Sequence, residues 1–211
     1  MGNKKLSSLV LLSLSSALVL AACGGEGSTA DSSESAGANG SGQVLNLVES
    51  AEIPTMDSVQ ATDTVAFTAL SNVNEGLYRQ GLDGTVELGI AAEDPTVSED
   101  GLVYTFTIRD EANWSNGEPV TAADFVYSWR KLVDPASAAS YSYMMDGVIA
   151  NATEIMAGEV GPEELGVKAI DEKTLEITLA SPVPYFKDLL TLAMFFPQNQ
   201  AFVEEQGDQY A

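Results

Sequence analysis

The sequence predicts a mixed α+β body, within the broad α/β class, and three features carry that expectation. Leu102, Tyr104, Phe106 and Ile108 alternate with Val103, Thr105 and Thr107, and Leu175, Ile177 and Leu179 alternate again, the period of half-buried strands. Phe67, Leu70, Val73 and Leu77 recur at helical intervals, as do Phe125, Trp129 and Leu132. The two patterns are interleaved without strict strand–helix–strand order, and no repeat of solenoid length accompanies them.

The front of the chain has a different composition. Met1–Lys5 carries two lysines, and residues 6–22 form an uncharged run rich in Leu, Ala and Ser, the form of a signal peptide. The run is short and polar for a membrane span, which needs about 20 apolar residues. It ends in Leu20, Ala21, Ala22, Cys23, Gly24, which resembles a bacterial lipobox. Residues 1–22 are therefore expected to be a lipoprotein signal peptide, with Cys23, the single Cys of the chain, as the lipidated residue. Myristoylation at Gly2 fits less well, because Leu6 stands where that pattern wants Ser or Thr. Residues 24–42 hold no aliphatic residue larger than Ala and cannot bury enough apolar surface to offset their ordering entropy. Residues 23–43 are accordingly expected to be the lipidated Cys and a flexible tether, with an r.m.s. reach of about 25 Å.

In the body, residues 44–211, Val44–Val48 is β-rich and is expected to open a sheet. Thr62 or Asp63 can cap a helix over 64–77, with Gly76 near its end. Asp100 and Gly101 supply the turn into strand 102–108. Thr121 with Asp124 is a capping signal for the next helix, and Asp134–Pro135 stops it. Asp171, Glu172 and Lys173 form the turn before the second alternating strand, and Pro182 and Pro184 introduce a helix-like stretch, Tyr185–Phe196. Trp114 and Trp129 are expected to anchor the core. The N-x-S/T triplets at Asn39, Asn113 and Asn151 are expected by chance.

Composition removes several functions. With 9 Lys and Arg against 31 Asp and Glu, the formal charge is −22, which opposes nucleic-acid binding. The absence of His removes Ser/His/Asp and Cys/His dyads and His-ligated zinc. One Cys excludes an intrachain disulfide and a four-Cys metal or cluster site. Among 31 acids, carboxylate pairs of the glycosidase kind arise by chance. Asp110, Glu111, Asn113 and Glu118 suggest a calcium loop, but they lack the register of an EF-hand. No catalytic residue, metal site or cofactor is therefore predicted.

The stretch Ser98–Pro135, SEDGLVYTFTIRDEANWSNGEPVTAADFVYSWRKLVDP, closely resembles the signature region of oligopeptide-binding lipoproteins of ABC importers, the extracytoplasmic solute-binding proteins of the peptide/nickel class. Leu165–Asp188 and Ile53–Tyr78 extend the resemblance. It implies the N-terminal part of a two-lobed periplasmic-binding-protein-like fold that closes on its ligand by hinge motion. Residues 44–211 would supply the first lobe and a family-specific subdomain, with the second lobe beyond Ala211, so that this chain is expected to be a fragment. Such proteins hold an extended peptide partly through its backbone, which gives affinity without strong side-chain selectivity. The resemblance places the ligand-contacting segment at Ala61, Thr62, Asp63 and Thr64, and a tyrosine near the ligand at Tyr141. Where family members carry Glu, Gly, Val, this chain has Thr62, Asp63, Thr64, so Asp63 is open to either a helix cap or a partner for a cationic ligand group. Tyr141 and Tyr143 are open to either packing or ligand contact.

The function implied is that of a monomeric receptor, anchored by lipid to the outer face of the bacterial cytoplasmic membrane. It captures oligopeptides and delivers them to the permease of an ABC transporter. A signalling peptide, nickel complex or oligosaccharide on the same scaffold is the alternative ligand, and a surface adhesin the alternative role, because the signature belongs to the scaffold rather than to the pocket.

Overall fold

A computed structural model describes Val44 and residues 46–211. The expected signal peptide, Cys23 and the tether lie outside the described residues. Residues 47–211 pack as one unit.

Its centre is a four-stranded sheet in the order β3–β4–β6–β5, formed by Thr96–Val97 (β3), Val103–Thr107 (β4), Val167–Ala169 (β5) and Thr174–Thr178 (β6). Every pairing in it is antiparallel, so the body is α+β in the strict sense. The register sets Tyr104 opposite Ile177 and Phe106 opposite Leu175. With Val167 opposite Ile177, these residues define one apolar face. Thr105, Glu176 and Lys168 line up across the other face, which is the alternation expected of a sheet wetted on one side.

The helix Ala122–Val133 (α2) packs on β5 and β6. Its start follows the capping pattern: Asp124 Oδ2 accepts from the Thr121 N–H at 2.8 Å and from the Thr121 hydroxyl at 3.0 Å. It ends at Asp134, before Pro135. Phe125 and Trp129 are fully buried and meet edge to face, and Trp129 meets Phe195 in the same way at 5.5 Å. The Trp129 Nε1–H donates to the Phe195 carbonyl at 2.9 Å, which satisfies the polar end of a large apolar ring.

Before the sheet lie the helix Thr64–Val73 (α1) and a hairpin of Tyr78–Gln80 (β1) with Val86–Leu88 (β2). The Tyr78 hydroxyl donates to Asp94 Oδ1 at 2.6 Å, and Lys187 Nζ donates to the same oxygen at 2.7 Å. This ties the hairpin to the short helix Phe186–Leu189 (its Lys187 side chain), after Ala152–Met156 (α3), so that it is α4. A last helix, Gln200–Gln206 (α5), carries the chain towards Tyr210.

Three expectations are corrected. Val44–Val48 forms no strand among the described residues: Val44, Leu47 and Val48 are exposed, Val48 at 96%, and a strand without a neighbouring ladder has nothing to stabilise its backbone groups. The helix expected over 64–77 stops at Val73, with Asn74 as its C-cap. Leu77 is buried as predicted, but from the approach to the hairpin, and Val73 faces solvent. Tyr185–Phe196 is broken into α4 and a 3-10 turn, Ala193–Phe195, and the four consecutive residues Ala193–Phe196 are all buried, which one stripe of a continuous helix could not achieve.

Glycine permits a close backbone approach beside the hairpin. Gly89 N–H donates to the Leu77 carbonyl and Ile90 N–H to the Gly76 carbonyl, both at 2.9 Å. A Cβ built at Gly89 would run into the Gly76 carbonyl oxygen. Gly89→Ala should therefore destabilise the chain by about 1–3 kcal/mol, the usual cost of overpacking. Urea unfolding with an unchanged slope and a lowered midpoint would register it.

Two phenols, one buried at Tyr78 and one half-buried at Tyr210, give an alkaline signature. Burial first, then the carboxylate of Asp57 and the phenol of Tyr127, pushes Tyr210 up to about 12. Burial first, then the bond to Asp94, pushes Tyr78 above the ordinary phenol range. A phenol whose folded value lies above its unfolded value, about 10, contributes stability that is fully present below pH 10. That stability is lost as pH rises towards the folded value, so the Tyr210 contribution should vanish between about pH 10 and pH 12. Phenolate absorbance followed against pH should show late-titrating tyrosines, one of them absent in Tyr210→Phe.

Candidate functional site

The segment leading into α1 is held from behind by a buried polar cluster. Asp57 Oδ2 accepts from Lys131 Nζ at 2.8 Å, while Oδ1 accepts from the Val59 N–H at 2.9 Å and from Gln198 Nε2 at 2.7 Å. Gln198 Oε1 also accepts from Lys131 at 3.1 Å. The Asp57 carbonyl closes a tight turn by accepting from Gln60 N–H and Ala61 N–H. Gln60 Nε2 then reaches the Ser137 carbonyl at 2.8 Å and fastens the segment to the loop after α2. Val59 and Ala61 are buried, so the backbone emerges at Thr62 from a fixed base.

Thr62 and Thr64 are exposed, and Asp63 is half-buried. Asp63 is the N-cap of α1, in extended conformation, and its Oδ1 accepts from Val65 N–H at 2.9 Å and Ala66 N–H at 3.0 Å. Between the two roles left open for Asp63, the cap is present in the fold. Its second carboxylate oxygen makes no hydrogen bond among the described residues. Neither the N–H nor the C=O of Thr62 forms a hydrogen bond among the described residues.

Tyr141 enters from the loop beyond Pro135, at the start of a 3-10 turn, Ser142–Met145. Its ring meets Phe67, on the first turns of α1, edge to face at 5.7 Å, and lies 5.9 Å from the ring of Tyr143. The two predicted pieces, the 62–64 segment and Tyr141, are therefore brought to one side of the molecule by a shared neighbour, Phe67. Sequence reasoning missed that neighbour, because periodicity placed Phe67 on the buried face of its helix. It also missed Asp57, Lys131 and Gln198, which carry no local motif.

A cleft of about 990 Å³ is a separate feature, lined by α1, the β1–β2 hairpin, the Arg109–Ser115 loop and residues 191–197. Of the aromatic group only Phe67 lines it, and Thr62, Asp63, Thr64 and Tyr141 do not. Three charged groups at its wall are paired: Arg109 Nη2 meets Glu75 Oε2 at 2.6 Å, Arg109 Nη1 also donates to the Gly89 carbonyl at 3.0 Å, and Arg79 pairs with Glu87, outside the cleft, at 3.1 Å. Arg109 is thus a strut of the signature loop. Trp114 is partly buried under the same loop and donates to Asp124 Oδ2 at 3.3 Å. Asp110, Glu111, Asn113 and Glu118 are exposed, and no group of three His, Cys, Asp or Glu converges among the described residues. The arrangement presents a fixed backbone edge, a carboxylate oxygen and an aromatic surface, which are means of binding.

The signature loop and the sheet beneath it place the chain in a class of extracellular binding proteins. The sequence model described as bacterial extracellular solute-binding proteins, family 5 Middle, matches residues 85–211, more than half of the chain. The chain belongs to that family. Relatives include the dipeptide-binding protein of Lactococcus lactis subsp. cremoris, 40% identical over 75% of this chain and 28% of its own length. The oligopeptide-binding protein OppA of Bacillus subtilis is 36% identical over 98% of this chain and 39% of its own. Among solved structures, Listeria monocytogenes OppA bound to peptide superposes with a TM-score of 0.77 at 50% identity, covering 79% of this chain and 33% of that one. The chain thus spans roughly a third of the length of the relatives it matches.

Proposed function

We propose that this chain is part of a lipid-anchored receptor that captures oligopeptides outside the cell and delivers them to the permease of an ABC importer. The observation that carries the reading is the backbone at Thr62: exposed, followed by Asp63 in extended conformation, anchored from behind by Asp57 and Gln60, and free of hydrogen bonds among the described residues. An extended peptide laid along such an edge gains backbone hydrogen bonds whatever its side chains are. Asp63 follows that edge directly and caps α1 through Oδ1, and the Tyr141 ring meets Phe67 one turn further on. Residues 44–211 contribute the first lobe and a family-specific subdomain, the partner is a permease, and the receptor acts as a monomer. The proposed role is binding, in keeping with a family and relatives that are solute-binding proteins.

The anchor rests on Leu20–Gly24, with Cys23 as the acylated residue. Calorimetric titration of the protein, produced from its native reading frame, with a mixed pentapeptide library tests the receptor reading. Binding with heat release and ligand-dependent closure is expected; absence of both overturns it. Metabolic labelling with radioactive palmitate should mark the wild type and fail in Cys23→Ser.

A further inference from the structure

We infer that Phe67, Tyr141 and Tyr143 form an aromatic subsite that takes an aromatic side chain of the bound peptide, so that this receptor is selective for sequence at one ligand position. The inference rests on the receptor reading above and deepens it. The three rings stand in series, Phe67 to Tyr141 at 5.7 Å and 61°, Tyr141 to Tyr143 at 5.9 Å and 39°. These separations and tilts fall within the range in which aromatic pairs attract beyond simple burial. The series starts inside the fold, at the partly buried Phe67, and ends at Tyr143, whose side chain is 58% exposed. Neither tyrosine hydroxyl makes a hydrogen bond among the described residues, so no bond to a neighbour pins the outer rings against the body.

Position links the series to the ligand edge. Phe67 N–H donates to the Asp63 carbonyl at 3.1 Å, so the first ring projects from the turn of α1 that begins at the free backbone of Thr62. In an extended peptide, side chains leave the backbone to alternate sides. Those on the α1 side of a ligand paired at Thr62 would meet this row, where a further ring can continue it. An exposed row of rings offers Ala nothing of comparable area, so the affinity difference between Phe and Ala at that position should be about tenfold.

The test uses pentapeptides of alanine in which each position in turn carries Phe or Lys, titrated calorimetrically against the protein from its native reading frame. The wild type should bind one Phe-substituted peptide about tenfold more tightly than penta-alanine. Tyr143→Ala should reduce that ratio to about twofold or less, and Tyr143→Phe, which keeps the ring, should preserve it. Since Tyr143 is exposed, its replacement leaves the core intact, and circular dichroism checks this. Equal affinity for the Phe and Ala peptides, or a ratio that survives Tyr143→Ala, overturns the subsite while leaving the receptor reading in place. A preference for Lys at that position that exceeds the preference for Phe overturns the aromatic assignment. Failure of every peptide to bind overturns the receptor reading and the subsite with it.

Discussion

Replacing Trp129 by Ala should lower stability by about 3–5 kcal/mol, a large share of what a domain of this size possesses. Trp129 is fully buried between Phe125 and Phe195 and is the largest fully buried side chain among the described residues. The loss has two parts. Removing the indole empties a volume that the surrounding helix and sheet cannot close, since interiors are packed like organic crystals. It also leaves the Phe195 carbonyl, which accepts from Nε1 at 2.9 Å, without its donor. Trp129→Phe should therefore cost less than Trp129→Ala, because it refills most of the space and forfeits the hydrogen bond. Urea unfolding of the three proteins measures the order; equal midpoints for wild type and Trp129→Ala would refute a core role for this ring.

Asp57→Ala should cost about 3 kcal/mol, near the lower end for breaking a buried ion pair. The side chains of Lys131 and Asp57 are only 22% and 10% exposed, so the ammonium left behind keeps part of its desolvation cost without a partner. Its partial exposure and the remaining bond to Gln198 Oε1 hold the effect near the lower end. Adding Lys131→Met to Asp57→Ala should recover part of the loss, because the stranded charge is then gone. The change has a local consequence as well. Asp57 organises the turn that delivers Thr62, so amide exchange at Gln60 and Ala61, whose N–H groups bond to the Asp57 carbonyl, should accelerate more than exchange in β4 or β6. Uniform acceleration across the sheet would instead assign Asp57 to global stability alone.

Elements whose stability is local could be read from the chain. The Thr121–Asp124 cap, the stop at Asp134–Pro135, the cap at Asp63 and the alternation in β4 and β6 depend on residues a few positions apart, and each stands in the fold as expected. Elements whose stability comes from distant partners could not. Val44–Val48 has the composition of a strand but no ladder among the described residues, and Leu77 reaches the core from outside the helix whose period it matches. The short hairpin β1–β2, where Tyr78 pairs with Leu88, has no period long enough to announce it.

The candidate site divides in the same way. The matched positions, Thr62, Asp63, Thr64 and Tyr141, came from resemblance along the chain, and the fold brings them near one another through Phe67. The support behind them, Asp57 with Lys131 and Gln198, joins three remote segments and leaves no trace in any local pattern.

By itself, then, the sequence determined the α+β class, the caps and turns, the family and a net charge unfavourable to nucleic-acid binding, because these follow from composition and from short-range spacing. Only the tertiary structure decided the strand order β3–β4–β6–β5, the end of α1 at Val73, the buried cluster at Asp57 and the row of rings from Phe67 to Tyr143. Each of these depends on which distant side chain reaches a given space first, and burial and hydrogen bonding in three dimensions settle that competition where local preference is too weak to do so.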